Sequence, residues 1–172
     1  MHNLTKSIVI VLCSLAVFMT ACTSKRDKDQ LKIDSLEQKV NEQAATPDTA
    51  NLNQLIRDYT AFVNTYPKDS LAPLYLYRGI RVAMSMSDAK LSMKLIDKYI
   101  NDYNKTKSYP EVVFLKAYVY ENLMGNYGRA SEIYRDFIHA FPDHELQDDA
   151  QVAIQNMGKS PEELIKEFEA KK

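Results

Sequence analysis

Residues 59–67 read YTAFVNTYP and residues 134–142 read YRDFIHAFP. Both place an aromatic residue, a Phe three positions on, a second aromatic four further on and then a proline: Tyr59, Phe62, Tyr66, Pro67 and Tyr134, Phe137, Phe141, Pro142. A looser copy, IDKYINDYN, lies between them with Ile96, Tyr99, Tyr103 and Asn104. Steps of three and four bring the three side chains onto one helical face. Proline then ends the helix, because it lacks an amide donor and restricts the residue before it. The copies begin 37 and 38 positions apart, and a period in the thirties built from two antiparallel helices marks a helical solenoid.

Working outward from these phrases, apolar spacing and turn residues predict helices over 49–66, 70–86, 88–104, 109–124, 126–141, 145–157 and 161–170, with almost no strand alternation. Ser160, Pro161 and Glu163 form a start signal for the last of these: a capping Ser, Pro at the first helical position and Glu at the third. The fold class is therefore all-α, a solenoid of antiparallel helix pairs. A chain of 172 residues, 45% hydrophobic and 26% charged, has the length and composition of one folded domain.

The first 21 residues stand outside that domain. Lys6 precedes an apolar run from Ile8 to Met19, followed by Thr20, Ala21 and Cys22, the layout of a secretory signal peptide. The uncharged stretch is shorter than the roughly 20 residues of a spanning helix. Met19-Thr20-Ala21-Cys22 resembles the bacterial lipobox, which implies cleavage before Cys22, lipid on Cys22 and a membrane partner through that anchor. Cys13 leaves with the signal, so the mature chain has no free cysteine for a disulfide, a nucleophile or a metal. Residues 22–48 read as the lipid-anchored tether: TSKRDKDQ is charged and NEQAATPDTA is small, polar and broken by Pro47. Between them Leu31, Ile33, Leu36 and Val40 partly follow helical spacing and predict a short amphipathic helix over about 29–43, with too few heptads for a coiled coil. The helical domain is expected over 49–172.

Gly125, Tyr127, Ala130, Tyr134, Phe137 and Pro142 match the second-helix pattern of tetratricopeptide repeats, which this chain resembles over about residues 49–170. Ser87, Ser92 and Asn104 occupy the corresponding glycine, alanine and proline positions in the preceding pair, and Gly79 and Ala117 the small position of the first helices. Gly79 and Ala117 each stand 13 residues before Ser92 and Ala130, where the common pattern has 12. Longer repeats behind a lipobox look like the tetratricopeptide lipoproteins of the envelope of Bacteroidetes, related to the β-barrel assembly lipoprotein and to the periplasmic cell-division coordinator. That resemblance implies a non-catalytic, lipid-anchored adaptor or scaffold in an envelope complex, on the periplasmic face of the outer membrane, or an accessory of outer-membrane β-barrel assembly.

The residues themselves point to binding. The first helix of each pair lines the concave face of such a solenoid. Tyr75, Tyr77, Arg78 and Arg81 in one first helix, and Lys116, Tyr118 and Tyr120 in the next, are candidate protein-binding groove residues of the types that interfaces favour. No cofactor motif is present, since Gly79, Gly125, Gly128 and Gly158 form neither a phosphate-cradling loop nor a dinucleotide fingerprint. His139 and His144 flank Pro142, which breaks the helix between them and leaves no fixed metal geometry. A formal net charge of −1 carries no nucleic-acid footprint.

Overall fold

The computed structural model describes residues 24–43, 46 and 48–170; the predicted signal peptide and Cys22 lie outside the described residues. Among the described residues the fold is all-α, with eight helices and no strand: α1 Lys25–Glu42, α2 Thr49–Thr65, α3 Ala72–Ser85, α4 Ala89–Asp102, α5 Tyr109–Asn122, α6 Tyr127–Ala140, α7 Gln147–Asn156 and α8 Pro161–Ala170. From α1 to α7 each helix packs on the next, giving a helical-repeat solenoid. The three related phrases are α2, α4 and α6, the second helices of successive pairs.

The phrases end alike. At Tyr66, Tyr103 and Phe141 the backbone N–H bonds back to the carbonyl four residues earlier, in each case at 2.8 Å, which places these aromatics as closing caps. The turn that follows also repeats, as Asp69, Thr106 and His144 donate their amides to the three capping carbonyls and in turn accept from Ala72, Tyr109 and Gln147. His144 Nδ1 accepts from the Leu146 amide at 3.2 Å, so this histidine helps build the turn. The opposite turns are set by capping side chains: Asp88 accepts from Leu91 N–H at 2.9 Å and Asn126 from Arg129 N–H at 3.1 Å. Gly125 has φ +61° there, and Ser87, at the matching place one pair earlier, has φ +56°. The capping box at α8 forms as its sequence predicts, with Ser160 Oγ accepting from Glu163 N–H at 3.2 Å and Glu163 Oε2 accepting from Ser160 N–H at 2.7 Å.

Small residues let helices of a pair approach. Ala117 and Ala130 are fully buried, and Ser92, also fully buried, satisfies its hydroxyl on the Asp88 carbonyl at 2.8 Å. Buried side chains form two clusters. The first joins α1 to α4 and takes Val112 and Val119 from α5; the second takes Ala117 from the same helix and joins it to α6 and α7. α5 is apolar around most of its circumference because it is sandwiched between both.

One boundary needs correction. Residues 22–48 read as a tether with a short helix over about 29–43, and the domain as beginning at Thr49, whereas α1 runs over Lys25–Glu42 and packs into the first cluster. Ile33 is 1% exposed, with Leu36 and Val40 partly buried beside it. Polar contacts complete the seam. Arg26 grips Asp69 with Nε and Nη2 at 2.9 and 3.1 Å, and its guanidinium lies 5.7 Å from the Phe62 ring centroid. Tyr66 donates to Asp29 at 2.9 Å, and Lys32 pairs with Asp58 at 2.6 Å. Glu37 accepts from the Tyr59 hydroxyl at 2.6 Å and from Arg78 at 2.7 Å. α1 is thus the first helix of a first repeat whose second helix is α2.

Candidate functional site

The alternate helices α1, α3 and α5 line two adjoining clefts. One, of about 290 Å³, lies between Glu37, Val40 and Asn41 of α1 and Arg78, Arg81 and Val82 of α3, with Leu55 and Tyr59 of α2 behind them. The other, of about 410 Å³, lies between Arg81, Met84 and Ser85 of α3 and Phe114, Leu115 and Tyr118 of α5. Arg81 belongs to both, so the clefts share a wall that carries an exposed positive charge.

Each wall is held from behind. Phe114 packs against Tyr134 and Phe137 of α6, with ring centroids 5.2 and 5.7 Å away. Tyr77 donates its hydroxyl to Glu111 at the start of α5, tying α3 to α5 across the second cleft. Arg81 donates to that same hydroxyl at 3.1 Å and approaches Glu111 at 4.0 Å, with its side chain still 62% exposed. Burial foremost, and then the hydrogen bond to the Glu111 carboxylate, raise the Tyr77 phenol above its ordinary range, against an opposing effect of Arg81. The hydroxyl therefore remains a donor to Glu111 at neutral pH. Ser85 spends its hydroxyl on the Val82 carbonyl at 2.8 Å.

The structure divides the candidate groove residues. Arg81 and Tyr118 line the second cleft, and Tyr118 is 41% exposed. Arg78 lines the first, but its guanidinium is taken by Glu37. Tyr77 acts as a brace. Tyr75 is a core residue, 1% exposed, stacked on Tyr59 at 5.4 Å and edge-on to Phe62 at 4.9 Å; burial pushes its phenol up to about 12. It shares the face of Ala72, Leu76 and Gly79, which is the packed side of α3. Lys116 leaves the groove for Asp97 of α4 at 2.8 Å. Tyr120 packs into the second cluster, beside α6. Met84, Phe114 and Leu115 line the cleft without being among the candidate groove residues; Met84 also packs, partly buried, against the first core cluster.

The lining offers an apolar floor, one exposed phenol and one exposed guanidinium, which suits a peptide chain with apolar side chains and a carboxylate. Among the described residues no group of three or more His, Cys, Asp or Glu side chains could hold a metal ion, and no helix is long and apolar enough to cross a membrane. Compared with known proteins, the chain matches no protein-family model and no curated protein sequence.

Proposed function

We propose that this protein is a lipid-anchored, non-catalytic adaptor that binds a protein segment in a bacterial envelope complex, held by acylated Cys22 at the outer membrane and facing the periplasm. The observation that supports this reading best is the cleft between α3 and α5. Arg81 stands 62% exposed at its edge and Tyr118 41% exposed on its far wall, both over a floor of Met84, Phe114 and Leu115. An apolar trough with one exposed cation holds an extended or helical segment by side-chain burial and fixes its register by one charge pair. Chemistry would need a convergent nucleophile and base, and the polar groups of this lining are an arginine, a phenol and a serine committed to a backbone carbonyl.

The test is site-specific photocrosslinking in intact cells. A photoreactive residue at Tyr118 is expected to capture a discrete partner, whereas the same residue at Asp136, on α6 and outside the cleft, does not. Loss of the adduct on Arg81→Glu, with unchanged folding, supports the cleft. Equal capture from both positions overturns it. Barrel-assembly proteins as the captured species would assign the adaptor to that machinery.

A further inference from the structure

The outward side of α1 carries a segregated set of charges. At 3.6 residues per turn, Lys25, Lys28, Lys32 and Lys39 fall within about 60° of one another around the helix, and all four are exposed. They extend over about 21 Å of helix axis. Asp27 and Asp34 lie roughly 140° around from this edge. Glu37 points the other way as well, into α2 and α3. Of the acids bordering the lysines, Asp29 accepts from Tyr66, Asp58 is the partner of Lys32, and Glu42, at the far end, accepts from Gln38. Lys39 reaches only the neutral amide of Asn51, at 3.4 Å, and Lys25 and Lys28 have no acidic partner among the described residues. Beside Lys28 stands Leu31, 60% exposed. The donors to Asp29 and Glu42 are neutral and cancel no charge, yet the four lysines still outnumber the three acids that border them. Lysines in excess, flanking an exposed leucine on one helical edge, are the combination that settles at an anionic lipid interface, with ammonium groups at the headgroups and the apolar side chain below them.

The chain supplies a second constraint. Three peptide steps separate Cys22 from Lys25, which limits their separation to about 10 Å. If Cys22 bears lipid, as proposed above, the folded domain begins at the membrane surface with no room for a tether. We infer that the lysine edge of α1, with Leu31, is a docking surface for anionic phospholipid and lays the first repeat flat on the bilayer. This inference rests on the lipid-anchor reading for its geometry, and on the charge pattern of α1 for its chemistry.

The mature chain lacks other cysteines, so a Ser35→Cys variant places a single dye on the outer side of α1, and Asp136→Cys places the control on α6. Full-length protein purified from membranes is reconstituted into vesicles of phosphatidylcholine carrying brominated chains, with or without 30 mol% phosphatidylglycerol. The expected result is quenching several-fold stronger at 35 than at 136 in the anionic vesicles, reduced to the control level by K25E/K28E/K39E or by high salt. Equal quenching at the two positions in anionic vesicles overturns the inference. Intact mass reports the anchor separately. If Cys22 proves unacylated, the anchor reading falls, and Cys22→Ser protein added to the same vesicles decides the lysine edge by the same comparison.

Discussion

The Tyr59 hydroxyl donates to Glu37 at 2.6 Å, and two repeats later Tyr134 donates to Glu121 at 2.9 Å. In both, a phenol on the second helix of a pair reaches a carboxylate near the end of the first. The intervening pair places Ile96 and Ala83 at the matching positions, both fully buried, so the polar contact is replaced by an apolar one with neither partner orphaned. Glu37→Ala strands the buried phenol and frees Arg78, and is expected to cost about 2 kcal/mol. Glu37→Ala combined with Tyr59→Phe should fall short of additivity by about 1 kcal/mol, because the orphan is removed. Urea denaturation of the two single variants and the double variant measures both quantities; additivity within error would show that the pair does not couple.

Alanine at two glycines should act in opposite directions. A Cβ at Gly79 meets Leu95 and Tyr59 at 3.6 and 3.7 Å, which is ordinary contact, so Gly79→Ala gains helix propensity and is expected to stabilise by about 0.5–1 kcal/mol. At Gly125 nothing lies within 4 Å, but φ is +61°, and Gly125→Ala is expected to cost about 1 kcal/mol from backbone strain alone. Thermal melts of the two variants check the signs.

Ile33→Ala separates a folded α1 from a tether. In the structure Ile33 is 1% exposed, and truncating it should cost about 2–4 kcal/mol. A tether residue would show no change in the denaturation midpoint.

Alkaline pH should unfold the protein through its tyrosines. Burial foremost, together with the facing carboxylates Glu37 and Glu121, raises the phenols of Tyr59 and Tyr134 far above their ordinary value, and burial pushes Tyr75 up to about 12. Raised folded-state values mean that the unfolded chain loses these protons first. Their contribution is complete below pH about 10, the unfolded value, and declines as pH rises through and beyond 12. Absorbance titration of the 11 tyrosines should therefore be biphasic, with the late phase coincident with loss of helical circular dichroism. A single early phase would refute this.

Arg81→Glu and Tyr118→Ala change exposed side chains of the α3–α5 cleft. Arg81→Glu gives up the hydrogen bond to Tyr77 and faces Glu111, so it is expected to cost about 1 kcal/mol and to abolish capture at position 118. Tyr118→Ala is expected to shift stability by less than about 0.5 kcal/mol and to abolish capture by a photoreactive residue placed at Ser85 on the opposite wall. A comparable loss of both folding and capture would make the effect structural.

The helices from Thr49 onward were legible because their apolar residues keep a 3.6 period and their ends are punctuated by Pro67, Asp88, Gly125, Pro142 and Ser160. α1 reads in the sequence only as a short helix in a tether because it buries little: Ile33 is its one fully buried side chain, and charges direct much of the remaining docking. A signal was nonetheless present in the repetition itself, since three second-helix phrases had only two first helices, leaving the phrase at Tyr59 without a partner. In the groove, Tyr75 was separable from Tyr77 by phase, as it precedes Gly79 by four positions and so shares its packed face. Lys116 and Tyr120 were not separable, because α5 is apolar on two sides and its period identifies no single exposed stripe.

That double allegiance of α5 has a mechanical consequence. Val112 and Val119 belong to one core and Ala117 to the other, while Leu115 and Tyr118 of the same helix form a wall of the larger cleft. A ligand wedged against that wall bears on the rod to which both halves of the solenoid are fastened. If a segment occupies the cleft as proposed, it presses on both halves through one helix, and its binding is expected to stiffen the solenoid as a whole.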